Sequence, residues 1–292
     1  MTRKQTGMAR PQLHVLQSLR LAALCLFMAT GSVSACADEP ATDEGQAVAP
    51  VLAKRGKLIL EDDGSLERGG KTVGKFAGTT RVRAGAGLWN RAVDPKIWRS
   101  TWNKGLGHTP VASYQGFNAD SLIIEVTFRY GVISEPWHTQ CFRIAVDDRP
   151  NVTGHIVSAW ANPNNDFIES GFLLQHIRKQ KDKTIIEDML LDQQPVSIQP
   201  EVWYTATLEV VGDEALFRMG NHVAYAKAEQ IRMPKNLVSL TMGTTWHEIK
   251  RVRIWRAEAN PSWPAQKSKV LESRKNFTPT VHNHKKIDNT ER

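Results

Sequence analysis

Cysteine is scarce. The chain of 292 residues has three: Cys25 and Cys36 near the N-terminus, and Cys141 in the body. One body cysteine excludes an internal disulfide there. No Cys-x-x-Cys or Cys/His ligand spacing occurs either, which excludes a finger-type zinc site. Cys141 lies inside an apolar strand pattern and reads as a small buried residue. Long hydrophobic runs are also missing. The apolar run Leu21 to Ala29 has about nine residues, against the roughly 20 that a membrane-spanning helix needs. The glycines of Arg83–Gly87 make no phosphate loop, because no Lys-Ser/Thr follows a G-x-x-x-x-G. There is no internal repeat. The body lacks an excess of either charge. The whole chain is +8, from 38 basic and 30 acidic residues. The N-terminal leader holds four basic residues and no acidic one, and the tail from Ala259 holds seven basic and three acidic. Between them lie 27 of each. A nucleic-acid partner would need a basic stripe on a folded face, so none is expected.

What is present begins with that leader. Arg3, Lys4, Arg10 and Arg20 precede the short apolar run, and small residues follow it, as in a secretory signal. Val33-Ser34-Ala35-Cys36 resembles the lipobox of bacterial lipoproteins. The resemblance implies a diacylglyceryl group on Cys36, cleavage just before it, and a mature chain tethered to a membrane. Ala35-Cys36-Ala37 also fits cleavage after Ala37, which would leave the protein secreted and free. An uncleaved N-terminal anchor is the third alternative. The protein is expected at the cell envelope, outside the cytoplasm, lipid-anchored or secreted. Two acyl chains give the stable attachment that one does not.

The organisation that follows is a signal segment over 1–36, a flexible acidic linker over 37–53, one domain over 54–258, and a polar basic tail over 259–292 that is expected to be disordered. About 200 residues suffice for one domain with a real core. Within it the period is two. Leu122, Ile124, Val126, Phe128 and Tyr130 alternate with Ser121, Glu125, Thr127 and Arg129, which places the first set on a core face and the second toward solvent. Phe142, Ile144 and Val146 repeat the pattern. Further strands are predicted at His155–Ala161, Phe172–Arg178, Thr184–Leu191, Trp203–Val211, Ala215–Met219, His222–Lys227, Leu237–Met242 and Glu248–Ala257. Gly212-Asp213 and Gly220-Asn221 are hairpin dipeptides. Ala226–Arg232, stopped by Pro234, is expected as no more than a short helical turn. Many short strands with almost no helix predict an all-β sandwich or jelly roll of two antiparallel sheets.

Lys57–Asp63 (KLILEDD), Trp203–Tyr225 and Leu237–Ala257 resemble the opening and closing strands of the concanavalin A-like lectin/glucanase superfamily, nearest the 3-keto-disaccharide hydrolase domain family. Trp203, Val210, Gly212, Val252 and Ile254 occupy the places of that family's strand-opening Trp, its V-x-G and its final I-x-I strand. Gly220-Asn221 reverses the family's usual Asn-Gly, and the aromatic that commonly follows Asp-Asp is missing. The resemblance implies a concanavalin A-like β-sandwich. It also implies a glycan-binding or glycan-processing role, with an oligo- or polysaccharide as partner. These motifs are structural, so activity has to come from a site.

Sugar sites combine flat aromatic faces with planar polar side chains. The nine tryptophans supply the first. Trp137, His138, Arg143, His155, Trp160, Gln175 and His176 are therefore the groove candidates. Trp137, Arg143, Trp160 and Gln175 would bind the ligand, and His138, His155 or His176 would act as base in an elimination or a 3-keto-sugar cleavage. Each also has a plain reading as a packing or satisfied structural residue. Trp246-His247-Glu248 is a further such cluster, whereas Trp203 and Trp255 read as core positions. The pairs Asp147-Asp148 and Glu187-Asp188 are adjacent on strands, so their members point to opposite faces and cannot easily serve one glycosidic bond. No E-x-D-x-x-E strand occurs. No cofactor is implied; Asp62-Asp63-Gly64 and Asp147-Asp148 are the candidates for a structural Ca²⁺. A carbohydrate-binding module, a saccharide hydrolase or lyase, and an envelope protein with no ligand remain open.

Overall fold

The computed structural model describes residues 48–64, 73–76, 80–84, 88–101, 109–134, 140–149, 154–164, 168–179 and 185–285. The leader, Cys36, most of the linker, Trp137 and His138 lie outside the described residues.

The described chain is all-β apart from one short helix and a 3-10 turn. Eight strands form one sheet: β1 (Ala53–Asp62), β4 (Leu88–Arg91), β5 (Trp98–Thr101), β7 (Leu122–Tyr130), β12 (Tyr204–Val211), β13 (Glu214–Met219), β14 (His222–Lys227) and β16 (Trp246–Ala259). Nine form the other: β2 (Val73–Phe76), β3 (Thr80–Ala84), β6 (Val111–Ala119), β8 (Gln140–Asp147), β9 (Gly154–Asn162), β10 (Gly171–Lys179), β11 (Ile185–Gln194), β15 (Lys235–Gly243) and β17 (Thr280–Lys285). The spatial orders are β14-β13-β12-β7-β16-β5-β4, with β1 also on β16, and β17-β11-β10-β9-β8-β15-β6-β3-β2. Every pairing is antiparallel. The chain crosses repeatedly between the sheets, giving the expected all-β sandwich of two antiparallel sheets.

The core lies between the sheets. Phe128 of β7 stacks on Phe142 of β8 with ring centroids 3.6 Å apart, and Phe172 of β10 stacks on Phe217 of β13 at 4.2 Å. Each pair joins one sheet to the other. Burying such a side chain contributes about 1.5–3 kcal/mol. Cys141 is buried in this core, as expected, and burial pushes its thiol pKa well up. The Gly212-Asp213 and Gly220-Asn221 hairpins form as predicted. Both glycines have φ near +55°, the region that two-residue turns demand. The 3-10 turn Glu229–Arg232 occupies the expected helical turn. Just beyond it, Lys235 is fully buried and donates to the carbonyls of Asp120, Ile231 and Met233 at 2.6–2.7 Å. Burial lowers its pKa to about 8.

Two expectations are corrected. The alternate set on β7 is not simply turned to solvent: Glu125 and Thr127 are buried, as is Ile123 on the same face, while Ser121 and Arg129 are half-buried. Side chains from neighbouring strands cover that outer face. Ile123 packs with Ala53 and Trp255, while Arg55 and Arg253 close over Glu125. The tail is also not disordered as far as Lys285. The helix α1 (Trp263–Val270) buries Trp263 against Leu52 and Leu216. Arg274 then pairs with Asp192 at 2.6 Å, Lys275 exchanges two backbone bonds with the Gln194 amide, and β17 adds to the edge of β11. Few apolar residues suffice here because Trp263, Leu271 and Phe277 each meet a patch left open on the sandwich.

Candidate functional site

Three of the residues picked from sequence meet on the outer face of the nine-stranded sheet. Arg143 and Trp160 are cross-strand partners on β8 and β9, and Gln175 follows on β10 opposite Ser158. The Arg143 guanidinium lies over the Trp160 ring, 4.9 Å from its centroid. Trp160 Nε1 donates to Gln175 Oε1 at 2.9 Å, and Arg143 Nη2 donates to Thr241 Oγ1 at 2.8 Å. Burial lowers the Arg143 pKa to about 10, which leaves it charged at neutral pH. The group is closed over: Trp160 is 2% exposed and Gln175 0%. Phe277 of the tail and Ile168 pack on Trp160, Leu173 and Leu190. A sugar ring cannot stack on Trp160 while this cover is in place.

The histidines separate. His155 Nδ1 lies 2.7 Å from Asp147 Oδ1. An ionised carboxylate only accepts, so Nδ1 carries the proton and the neutral ring keeps a lone pair on Nε2. Burial holds the His155 pKa below its ordinary value, against the opposing pull of Asp147. His176 Nδ1 donates to the Ile156 carbonyl at 3.0 Å and is buried. His247 is buried as well and donates from Nε2 to the Cys141 carbonyl.

An open cavity of about 370 Å³ lies on the outer face of the eight-stranded sheet. Asp63, Asp94, Lys96, Ile97, Thr127, Trp203, Lys250 and Arg251 line it. Each part of it has a local cause. The rim is two touching turns. Asp62 closes the first, accepting from Gly64 N at 3.1 Å and from Tyr114 Oη at 2.9 Å. Asp94 closes the second, accepting from Lys96 N at 2.8 Å. Gly64 has φ +80°, and a Cβ there would fall 1.5 Å from the Lys96 carbonyl oxygen. Only glycine lets the turns meet.

The floor comes from a β-bulge. The register of β16 against β7 shifts between Ile249 and Arg251. Ile249 and Val252 both face the core, so Lys250 and Arg251 both project outward. Bulges re-aim side chains in this way and recur beside functional sites. The wall is Trp203, half-buried just before β12. Its loop is pinned by Glu201 N donating to the Tyr130 carbonyl at 2.7 Å and by Gln199 N donating to Tyr204 Oη at 2.7 Å. Glu201 sits at φ +69°, a strained setting for a non-glycine residue.

Around the cavity the outer face is a lattice of Trp, Arg and Glu. Glu248 is bridged by Arg99 and Arg129, and both arginines lie over Trp246. Glu125 is bridged by Arg55 and Arg253, which flank Trp255. Trp255 is buried, as its reading as a core position expected, but in a cluster with Ala53 and Ile123 on the outer face rather than between the sheets. None of the residues lining the cavity was a groove candidate: Trp203 was read as a core position, and Asp94, Lys96, Lys250 and Arg251 were not singled out. The available signal was the spacing of Ile249 and Val252, which breaks the alternation at two cations. As to metals, no group of three His, Cys, Asp or Glu among the described residues is placed to hold one.

No family model matches the sequence, and no curated protein matches it. Solved structures are similar in fold. One is the CBM2 module of the Lactobacillus casei BL23 phage J-1 evolved Dit, with 9% identity over 70% of this chain and 98% of that one, TM-score 0.44. Another is a Bacillus subtilis protein with a galectin-like fold, with 10% identity, 71% and 100% coverage, TM-score 0.40. A third is LamAcat from Zobellia galactanivorans, with 10% identity, 68% and 98% coverage, TM-score 0.37. At such scores these likenesses carry no functional argument, and the sandwich stands on its own strand pairing.

Proposed function

We propose that this chain is a saccharide-binding protein of the cell envelope, with the Trp203 cavity as its combining site. One observation carries the reading: a half-buried indole, with Arg129 and Lys250 over its ring, stands beside carboxylates and cations in a cavity built by two locked turns and a bulge. An apolar ring face with convergent planar polar groups is what a pyranose needs. Attachment through a diacylglyceryl group on Cys36 places the sandwich outside the cytoplasm in this reading. The enzymatic alternative, a saccharide hydrolase or lyase of the 3-keto-disaccharide hydrolase type, is favoured by His155. Its ring is held neutral by burial and is fixed by Asp147 with a free Nε2 lone pair. It lies on the sheet opposite the cavity, so it supports a separate reaction centre rather than this site. A glycan array on the purified chain tests binding, and product analysis on each hit tests turnover. A blank array would remove the binding reading; hits returned intact would remove the enzymatic one.

A further inference from the structure

The arginines on the outer face of the eight-stranded sheet fall into two kinds. Arg55 and Arg253 share Glu125, Arg99 and Arg129 share Glu248, and Arg218 pairs with Glu209 at 2.9 Å. Arg251 differs. It is half-buried, lines the cavity and forms no ion pair among the described residues, whereas Arg218, whose Nε is likewise shielded without an acceptor, has Glu209. A guanidinium that lines a cavity with no carboxylate of its own is a place where an acid group from outside can supply the acceptor. The bulge turns Lys250 to the same side, and Lys96 reaches the cavity from the opposite rim.

We infer that the cavity takes an anionic saccharide, with its acid group on the Arg251 guanidinium between Lys96 and Lys250. The inference rests on the saccharide reading of this cavity. A carboxylate or sulfate meets a guanidinium with both partners charged and can accept two parallel N–H bonds, which a neutral sugar hydroxyl cannot do. A bare inorganic anion fits less well, because Asp63 and Asp94 share the lining and repel it. A sugar acid satisfies both sets. Its hydroxyls donate to the two aspartates, its acid group accepts from the cations, and its ring lies on Trp203.

The test is calorimetric titration of the whole chain with a galacturonate trisaccharide, its neutral methyl ester, and a sulfated galactan trisaccharide. The carboxylated or the sulfated sugar should bind about ten- to a hundredfold more tightly than the ester. Its advantage should shrink with added salt, and the stronger of the two identifies the acid group. Arg251→Gln should abolish the preference with the circular dichroism spectrum unchanged. Lys96→Gln, on an exposed turn, should weaken it in the same direction. Equal affinity for acid and ester overturns the anionic assignment and leaves the saccharide reading standing. So does a preference that survives Arg251→Gln, or an array with neutral hits alone. Failure of all three sugars together with a blank array overturns both.

Discussion

The Arg129 guanidinium lies over the Trp203 indole, 4.7 Å from the ring centroid, while its Nε donates to Glu248 at 2.5 Å. One buried carboxylate thus orients the cation that steadies the cavity wall. Cation–π contact of this kind contributes about 0.5–1 kcal/mol at a partly exposed site. Trp203→Ala should weaken saccharide binding by about 1–3 kcal/mol, taking base stacking on aromatics as the guide. Titration with the best array hit checks this. Unchanged affinity in a folded variant would move the site away from the cavity.

Glu248→Ala leaves Arg99 and Arg129 without their shared partner. Both arginines are about a third exposed, so solvent offsets part of the loss. A destabilisation of about 1–3 kcal/mol is expected, below that of a fully buried pair. Urea unfolding measures it. Binding should also fall, because Arg129 no longer holds Trp203; a variant with full binding would show that the wall stands without it.

Acid should weaken the fold through His155. Its folded-state pKa is lowered by burial, so the unfolded chain takes up the proton first as pH falls. Stability from this group is complete above the unfolded pKa near 6.5 and is lost as pH drops toward the folded value. Urea midpoints at pH 7.5 and 5.5 should differ more in the wild type than in His155→Asn. An identical pH dependence in both would assign the acid sensitivity elsewhere.

Phe277 of the tail covers Trp160, Leu173 and Leu190. Phe277→Ala should cost about 1–2 kcal/mol, less than a fully buried phenylalanine, and should raise the accessibility of tryptophan to a neutral quencher. If quenching stays at the wild-type level, Ile168 and its loop suffice as the cover.

Cys36→Ala tests the anchor. Metabolic labelling with a palmitate analogue should tag the wild type and leave the variant unlabelled. Equal labelling would place the acyl chain on another residue or remove it from the account.

The strands from β7 to β16 and the two hairpins were legible in the sequence, because a period of two and glycine turn dipeptides are local signals; β2 to β6 and β17 were not foreseen. The meeting of Arg143, Trp160 and Gln175 was half legible: residue type nominated them, and strand pairing joined them. That the group is closed was not legible, since its cover comes from Phe277, far along the chain. The cavity was hidden for a similar reason. Lys250 and Arg251 share a face only because β16 slips by one residue against β7, and Gly64 meets Lys96 only once β1 is paired. The outward Trp–Arg–Glu lattice likewise depends on which strands lie side by side. Local patterning by itself determined the all-β sandwich. Register, a bulge and long-range docking, which depend on partners distant in sequence, decided which face is open and which is closed.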